Sequence, residues 1–188
     1  MEKKRYEAAR AFICIELPDA MKRRISLIGR QLQQKGVRLV PEQKMHVTLV
    51  FIGEVNGDKI AGIKKAMDNA DHDSFPFSVN GIGAFSLRRP DAVFAKVTEE
   101  KGQIDALHRQ LAEGICRLGI DMDKRAYRPH ITLARISRTA DRDKITEFLE
   151  KHTKTEFGSA ICTSIKLKKS VPSSSGHVYS DIYLKNLR

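Results

Sequence analysis

Apolar positions along this chain alternate between two rhythms. Phe12 to Leu17 (FICIEL) is a short apolar run with the length and composition of a buried strand. Pro18 and Asp19 then open a segment in which Met21, Ile25, Ile28 and Leu32 recur at helical spacing, with Lys22, Arg23 and Arg24 turned outward. Gly36 is expected to end that helix as its C′ residue. A second strand, HVTLVFIG from His46, follows, and Ile60, Ile63 and Met67 predict a helix over Asp58 to Asn69. The same order then returns. Ala92 to Val97 is a strand. Gln103 to Arg117 is a helix with Ile104, Leu107, Leu111, Ile115 and Leu118 on one stripe, closed by Gly119. HITLAR, from His130 to Arg135, is a strand, and Ile145, Phe148 and Leu149 mark a helix over Asp141 to Lys151. Two strand-like stretches, GSAICTSIKLKKS and HVYSDIYLKNL, end the chain on either side of PSSSG.

The spacing turns this recurrence into a duplication. Phe12 to His46 is 34 residues and Phe94 to His130 is 36, while Gly36 to His46 is 10 and Gly119 to His130 is 11. A strand–helix–strand unit is used twice, with a period of 82 to 84 residues. Two similar units commonly pack about a pseudo-two-fold axis, so their equivalent strands are expected to face each other across a shared groove.

The repeated strands carry the candidate chemistry. Side chains alternate across a strand, so His46 and Thr48 share one face while Val47, Leu49 and Phe51 are assigned to the core. His130 and Thr132 repeat the pattern in front of Ile131 and Leu133. Each strand thus offers an imidazole and a hydroxyl. Two imidazoles in opposite protonation states supply an acid and a base near neutral pH, and two hydroxyls can hold the oxygens of a tetrahedral phosphate between them. A single His-x-Thr is more often a half-buried polar pair; two at matching positions of a duplication point to metal-free phosphodiester chemistry.

Charge adds a partner class. Of 188 residues, 34 are Lys or Arg and 23 are Asp or Glu, a formal charge of +11 that favours polyanionic partners but equally fits solvated Lys-rich helix faces, so charge alone does not decide. Arg88, Arg89, Lys124, Arg125 and Arg128 fall in expected loops beside the motif strands, where they would track an RNA backbone or simply serve solubility. The apolar run from Ala11 to Ile15 is too short for a signal segment or a membrane span. Cys14, Cys116 and Cys162 are odd in number and flanked by apolar residues, as reduced core thiols of a cytoplasmic protein would be. Asp71-His72-Asp73 reads as a polar loop more readily than as a metal site, His108 and His152 as structural or solvent-facing, and His177 as a candidate for the groove rim. Gly81-Ile-Gly83 is no dinucleotide fingerprint.

HVTLVFIGEV in the first half, RPHITLAR in the second, and the stretch from FICIEL through GAFSLRRPDAVFAKV to the last strands resemble the two-histidine phosphoesterase superfamily. Within it they are most similar to the RNA 2′,3′-cyclic phosphodiesterases, also called 2′-5′ RNA ligases. The resemblance implies an α+β fold, bilobal, with antiparallel sheets lining a central groove and helices packed outside. Residues 1–188 would form one domain, with lobes near 11–70 and 92–152 and closing strands near 75–86, 156–170 and 177–187. It implies opening of a terminal 2′,3′-cyclic phosphate on RNA to a 2′-phosphate by a monomer without metal or cofactor. His46 would be the proton donor, His130 the proton acceptor, and Thr48 and Thr132 the phosphate contacts. Arg135 occupies a family arginine position, although on a regular strand it would face away from His130 unless a twist, bulge or strand end turned it. Alternatives are an enzyme of the same superfamily acting on a small nucleotide or joining RNA ends, and a noncatalytic RNA-binding module.

Overall fold

The computed structural model describes residues 9–121, 126–174 and 176–188. The elements follow in the order β1 (Ala9–Glu16), α1 (Asp19–Gly29), β2 (Val37–Leu39), β3 (His46–Val55), α2 (Gly57–Asp68), β4 (Phe75–Ala84), β5 (Ala92–Thr98), α3 (Gln103–Cys116), β6 (His130–Ile136), α4 (Arg142–Lys151), β7 (Glu156–Cys162), β8 (Ser164–Ser173) and β9 (Gly176–Asn186). They build two antiparallel sheets, one ordered β3-β1-β8-β9 and the other β2-β6-β5-β4-β7. Each motif strand lies beside the first strand of its own unit, β3 beside β1 and β6 beside β5, as the duplication predicts.

The helices are exchanged between the units. α1 packs against β6 and β7 of the second sheet, and α3 packs against β3 of the first and against α2. At Gly29 the α1 backbone meets Leu133 of β6, and at Gly114 α3 meets Ala66 of α2. The buried apolar residues of both sheets therefore form one continuous cluster, from Ile13, Ile15 and Val47 to Ile131 and Leu133. α4 starts at Arg142, one residue after the expected Asp141, because Asp141 is its N-cap: Asp141 Oδ1 accepts from the Asp143 and Lys144 amides.

Three expectations change. The first helix stops at Gly29, followed by a single 3₁₀ turn over Arg30–Leu32, so Gly36 is not its C′ residue. Gly36 holds φ +81°, and a side chain there would collide with Ser137, Thr139 and Ala140, so its role is to let the Ser137–Ala140 turn pack against it. GSAICTSIKLKKS is two strands: β7 pairs with β4, the chain crosses at Thr163, and β8 pairs with β1 in the other sheet. The cause is a phase break, because Cys162 and Ile165 are both buried three residues apart, which one regular strand cannot achieve. Cys14 and Cys162 are buried free thiols, but Cys116 is exposed, since neighbouring Ile115 takes the core face of α3. No helix among the described residues is long and apolar enough to cross a membrane.

Candidate active site

The two motif strands line one open groove of about 480 Å³. His46, Thr48, His130, Thr132 and Arg135 all border it, together with Phe12, Arg38, Lys44, Phe51, Ser170, His177 and Tyr179. The two His-x-Thr pairs and Arg135 thus border one groove, whereas Arg88, Arg89 and Arg128 are not among its lining residues.

Each histidine is fixed in the same way. His46 Nδ1 lies 2.8 Å from the Lys44 carbonyl oxygen and His130 Nδ1 2.8 Å from that of Arg128. A carbonyl only accepts, so Nδ1 carries the hydrogen and Nε2 is the ring nitrogen left for proton exchange. Aromatic rings complete each setting. Phe12 stacks on His46 with centroids 4.7 Å apart and Tyr179 meets it edge-on at 5.7 Å. Phe94 and Phe85 flank His130 at 5.2 and 5.0 Å. Phe12 and Phe94 are the equivalent residues of the two units.

Burial against these rings pushes the His46 imidazole down to about 4, and pushes His130 down from its ordinary value as well. The lesser influences differ in sign. Glu16, the register partner of His46, favours its charged form more than Lys168 opposes it, whereas Arg135 disfavours the charged form of His130. Glu16 is itself held by Lys22 at 3.1 Å and by Lys168, which Asp181 holds at 2.8 Å.

A β-bulge in each motif strand decides which further residues reach the groove. In β3 the ladder runs from Cys14↔Thr48 to Ile13↔Val50, skipping Leu49; in β6 it runs from Phe94↔Thr132 to Val93↔Ala134, skipping Leu133. Leu49 and Val50 are consequently both buried, as are Leu133 and Ala134, and the alternation restarts one residue out of phase. Arg135 is thereby turned to the groove side. The same shift overturns the core assignment of Phe51, which is 56% exposed and lines the groove at the position equivalent to Arg135. Consecutive buried apolar residues after each His-x-Thr were the only sequence signal of this.

The carbonyls at the bulges are taken up from outside the strand. Tyr127 Oη donates to the Thr48 oxygen at 3.0 Å, and His108 Nδ1 donates to the Leu49 oxygen at 2.7 Å, with the two rings stacked 3.9 Å apart. The Val40 amide donates to the Leu133 oxygen at 2.7 Å. His108 and Tyr127, from α3 and the segment preceding β6, therefore hold the first motif strand from the second unit.

His177 does reach the groove rim, where its Nδ1 is 3.0 Å from Ser170 Oγ. His152 is buried between Thr155 Oγ1 at 2.9 Å and Gln31 Oε1 at 3.1 Å. Asp71 and Asp73 pair with Arg188 at 3.2 and 3.1 Å, which accounts for the Asp-His-Asp loop. Among the described residues no three His, Cys, Asp or Glu side chains gather as a metal site. Arg88, Arg89 and Arg128 are exposed; Lys124 and Arg125 lie outside the described residues.

The family model of the 2′-5′ RNA ligase superfamily matches residues 17–169. The chain is 28% identical to an RNA 2′,3′-cyclic phosphodiesterase of Archaeoglobus fulgidus, an alignment covering 92% of this chain and 97% of that one. It is 30% identical to the protein of the same name from Thermotoga maritima, over 75% of this chain and 78% of that one. In three dimensions it is similar to E. coli LigT complexed with 3′-AMP, with a TM-score of 0.82 at 22% identity over 96% of this chain and 99% of that one, a likeness of fold. A protein of Thermus thermophilus gives 0.81 at 25% identity, over 95% and 98%.

Proposed function

The chain belongs to the 2′-5′ RNA ligase superfamily, and from that membership we propose that it hydrolyses the 2′,3′-cyclic phosphate end of RNA to a 2′-phosphomonoester. The observation that carries the reading is the matched pair His46 and His130, each with Nδ1 fixed by the carbonyl two residues before it, set with Thr48 and Thr132 around one groove.

His130 Nε2 takes the proton of a water as its oxygen attacks phosphorus. The bond from phosphorus to O3′ breaks, and His46 Nε2 delivers its proton to O3′. Thr48, Thr132 and Arg135 hold the non-bridging oxygens as charge builds on them. The two histidines end with exchanged protonation, and solvent restores them.

Burial leaves both imidazoles neutral at pH 7 in the ligand-free groove. That suits His130 as base at once. His46 becomes the acid when the substrate arrives: an anion about 4 Å away is worth about 4 kcal/mol at an effective dielectric constant of 20, enough to return its proton affinity to the neutral range. Glu16 beside His46 and Arg135 beside His130 support this division of labour. The continuous core supports one domain of two lobes over 1–188, and a groove completed within one chain supports a monomer. Free cysteines support a reducing, cytoplasmic setting.

The test is turnover of an RNA oligonucleotide ending in 2′,3′-cyclic phosphate with EDTA present, with identification of the product isomer. His46→Ala and His130→Ala should each reduce kcat by about 10² to 10⁴ fold. A 3′-phosphate product would reverse the roles of the two histidines, and full activity in either variant would end the proposal.

A further inference from the structure

Beyond Arg135 further cavities follow the groove. Arg38 and Arg135 line both the groove and a smaller cavity that adds Gly36, Val37, Ile136 and Ser137. Ile136 and Ser137 in turn line a third cavity, of about 360 Å³, whose charged residues are Arg89, Arg138, Arg142 and Asp91. The three cavities are neighbours in a row, each sharing lining residues with the next along β2 and the end of β6. We propose that this arginine-lined extension binds the phosphates of the RNA strand that leads up to the cyclic end. The inference rests on RNA being the substrate.

Several placements here cost stability unless an anion is present. Arg38 and Arg135 are direct cross-strand partners, and like charges opposite each other in an antiparallel pair repel. Arg142 is the first residue of α4, at the helix end whose partial charge is positive, where a cation is unfavourable. No carboxylate among the described residues pairs with Arg38, Arg89, Arg135, Arg138 or Arg142. Asp91 is the one acid in the third cavity, against three guanidinium groups.

The backbone around the cavity is tied down. The Ser137 amide donates to the Gly36 oxygen at 2.8 Å and the Ile136 amide to the Asp91 oxygen at 2.8 Å. The Arg138 turn is thereby held against the start of β2, and the Arg89-Pro90-Asp91 segment against the end of β6. Guanidinium forks pair with phosphate oxygens through two parallel hydrogen bonds, so three on a fixed backbone suit a phosphodiester strand better than a lone anion.

The experiment compares the wild type with the combined variant Arg89→Ala, Arg138→Ala, Arg142→Ala. Two substrates are used: adenosine 2′,3′-cyclic phosphate and a decanucleotide RNA carrying the same cyclic end. Losing charge-assisted contacts should raise KM for the decanucleotide about tenfold or more while kcat stays level, and KM for the mononucleotide should not move. Fluorescence anisotropy with a decanucleotide ending in 2′-phosphate supplies a reading independent of turnover. The slope of log affinity against log salt should become shallower by about 2, near 0.7 per lost phosphate contact on a single strand. An unchanged slope and affinity, or equal KM increases for both substrates, would overturn the extension. Absence of turnover in the wild type would sink the hydrolase reading alone, and the salt slope would still decide this one.

Discussion

His46 stacks on Phe12 and meets Tyr179, and the resulting burial sets two measurable properties. In the unfolded chain an imidazole titrates near 6.5, whereas burial holds it at about 4 in the folded protein. Between these values the unfolded state binds more protons, so the folded state loses stability as pH falls through that window, by up to about 3 kcal/mol from this residue. Urea unfolding at pH 7 and pH 4 should show the loss, and His46→Gln should reduce it by about that amount; equal pH dependence in both proteins would refute the assignment. The same residue predicts a ligand effect: the His46 imidazole resonance, followed by NMR, should titrate at clearly higher pH once a 2′-phosphate mononucleotide is bound. His46, Thr48, His130 and Thr132 were legible in the sequence because the duplication states them twice. The family resemblance names Arg135 but leaves its side open, and alternation assigns Phe51 to the core, because their side follows from a one-residue irregularity that strict alternation does not contain.

At the scale of the strand, the bulges at Leu49 and Leu133 set the site's geometry, and the Tyr127–His108 stack secures one of them. Tyr127→Phe removes one hydrogen bond to the Thr48 carbonyl, with an expected cost of about 1 kcal/mol in stability. kcat should fall with it, because the strand bearing His46 loses a tether, and a variant with unaltered kcat would reduce the tyrosine to packing. Phe51→Ala separates the two readings of β3 directly. A core phenylalanine would cost about 3 to 5 kcal/mol, whereas an exposed groove residue should cost less than about 1 and appear instead as a higher KM. The limits of α2, α3 and α4 were legible to within a residue or two, whereas the first helix ends at Gly29, well short of the expected Gly36. The division of GSAICTSIKLKKS at Thr163 was hidden because no Gly or Pro marks it. Only the three-residue gap between Cys162 and Ile165 betrays the change of sheet.

For the molecule as a whole, the excess of 34 cationic over 23 anionic side chains predicts that RNA affinity declines linearly with salt on logarithmic axes; a flat line would disconnect the charge from substrate capture. Two lobes and a shared groove followed from the 82 to 84 residue period, but the period does not state which sheet a helix will cover. The answer is the other unit's: α1 lies under β6 and β7, and α3 under β3. A single strand–helix–strand copy therefore has no surface of its own on which to lay its helix, and an isolated half should stay unfolded or pair with another. The two histidines cannot drift apart by a hinge between lobes, since opening such a hinge would mean pulling both helices out of the core. Loss of activity on heating should accordingly coincide with loss of the fold and not precede it.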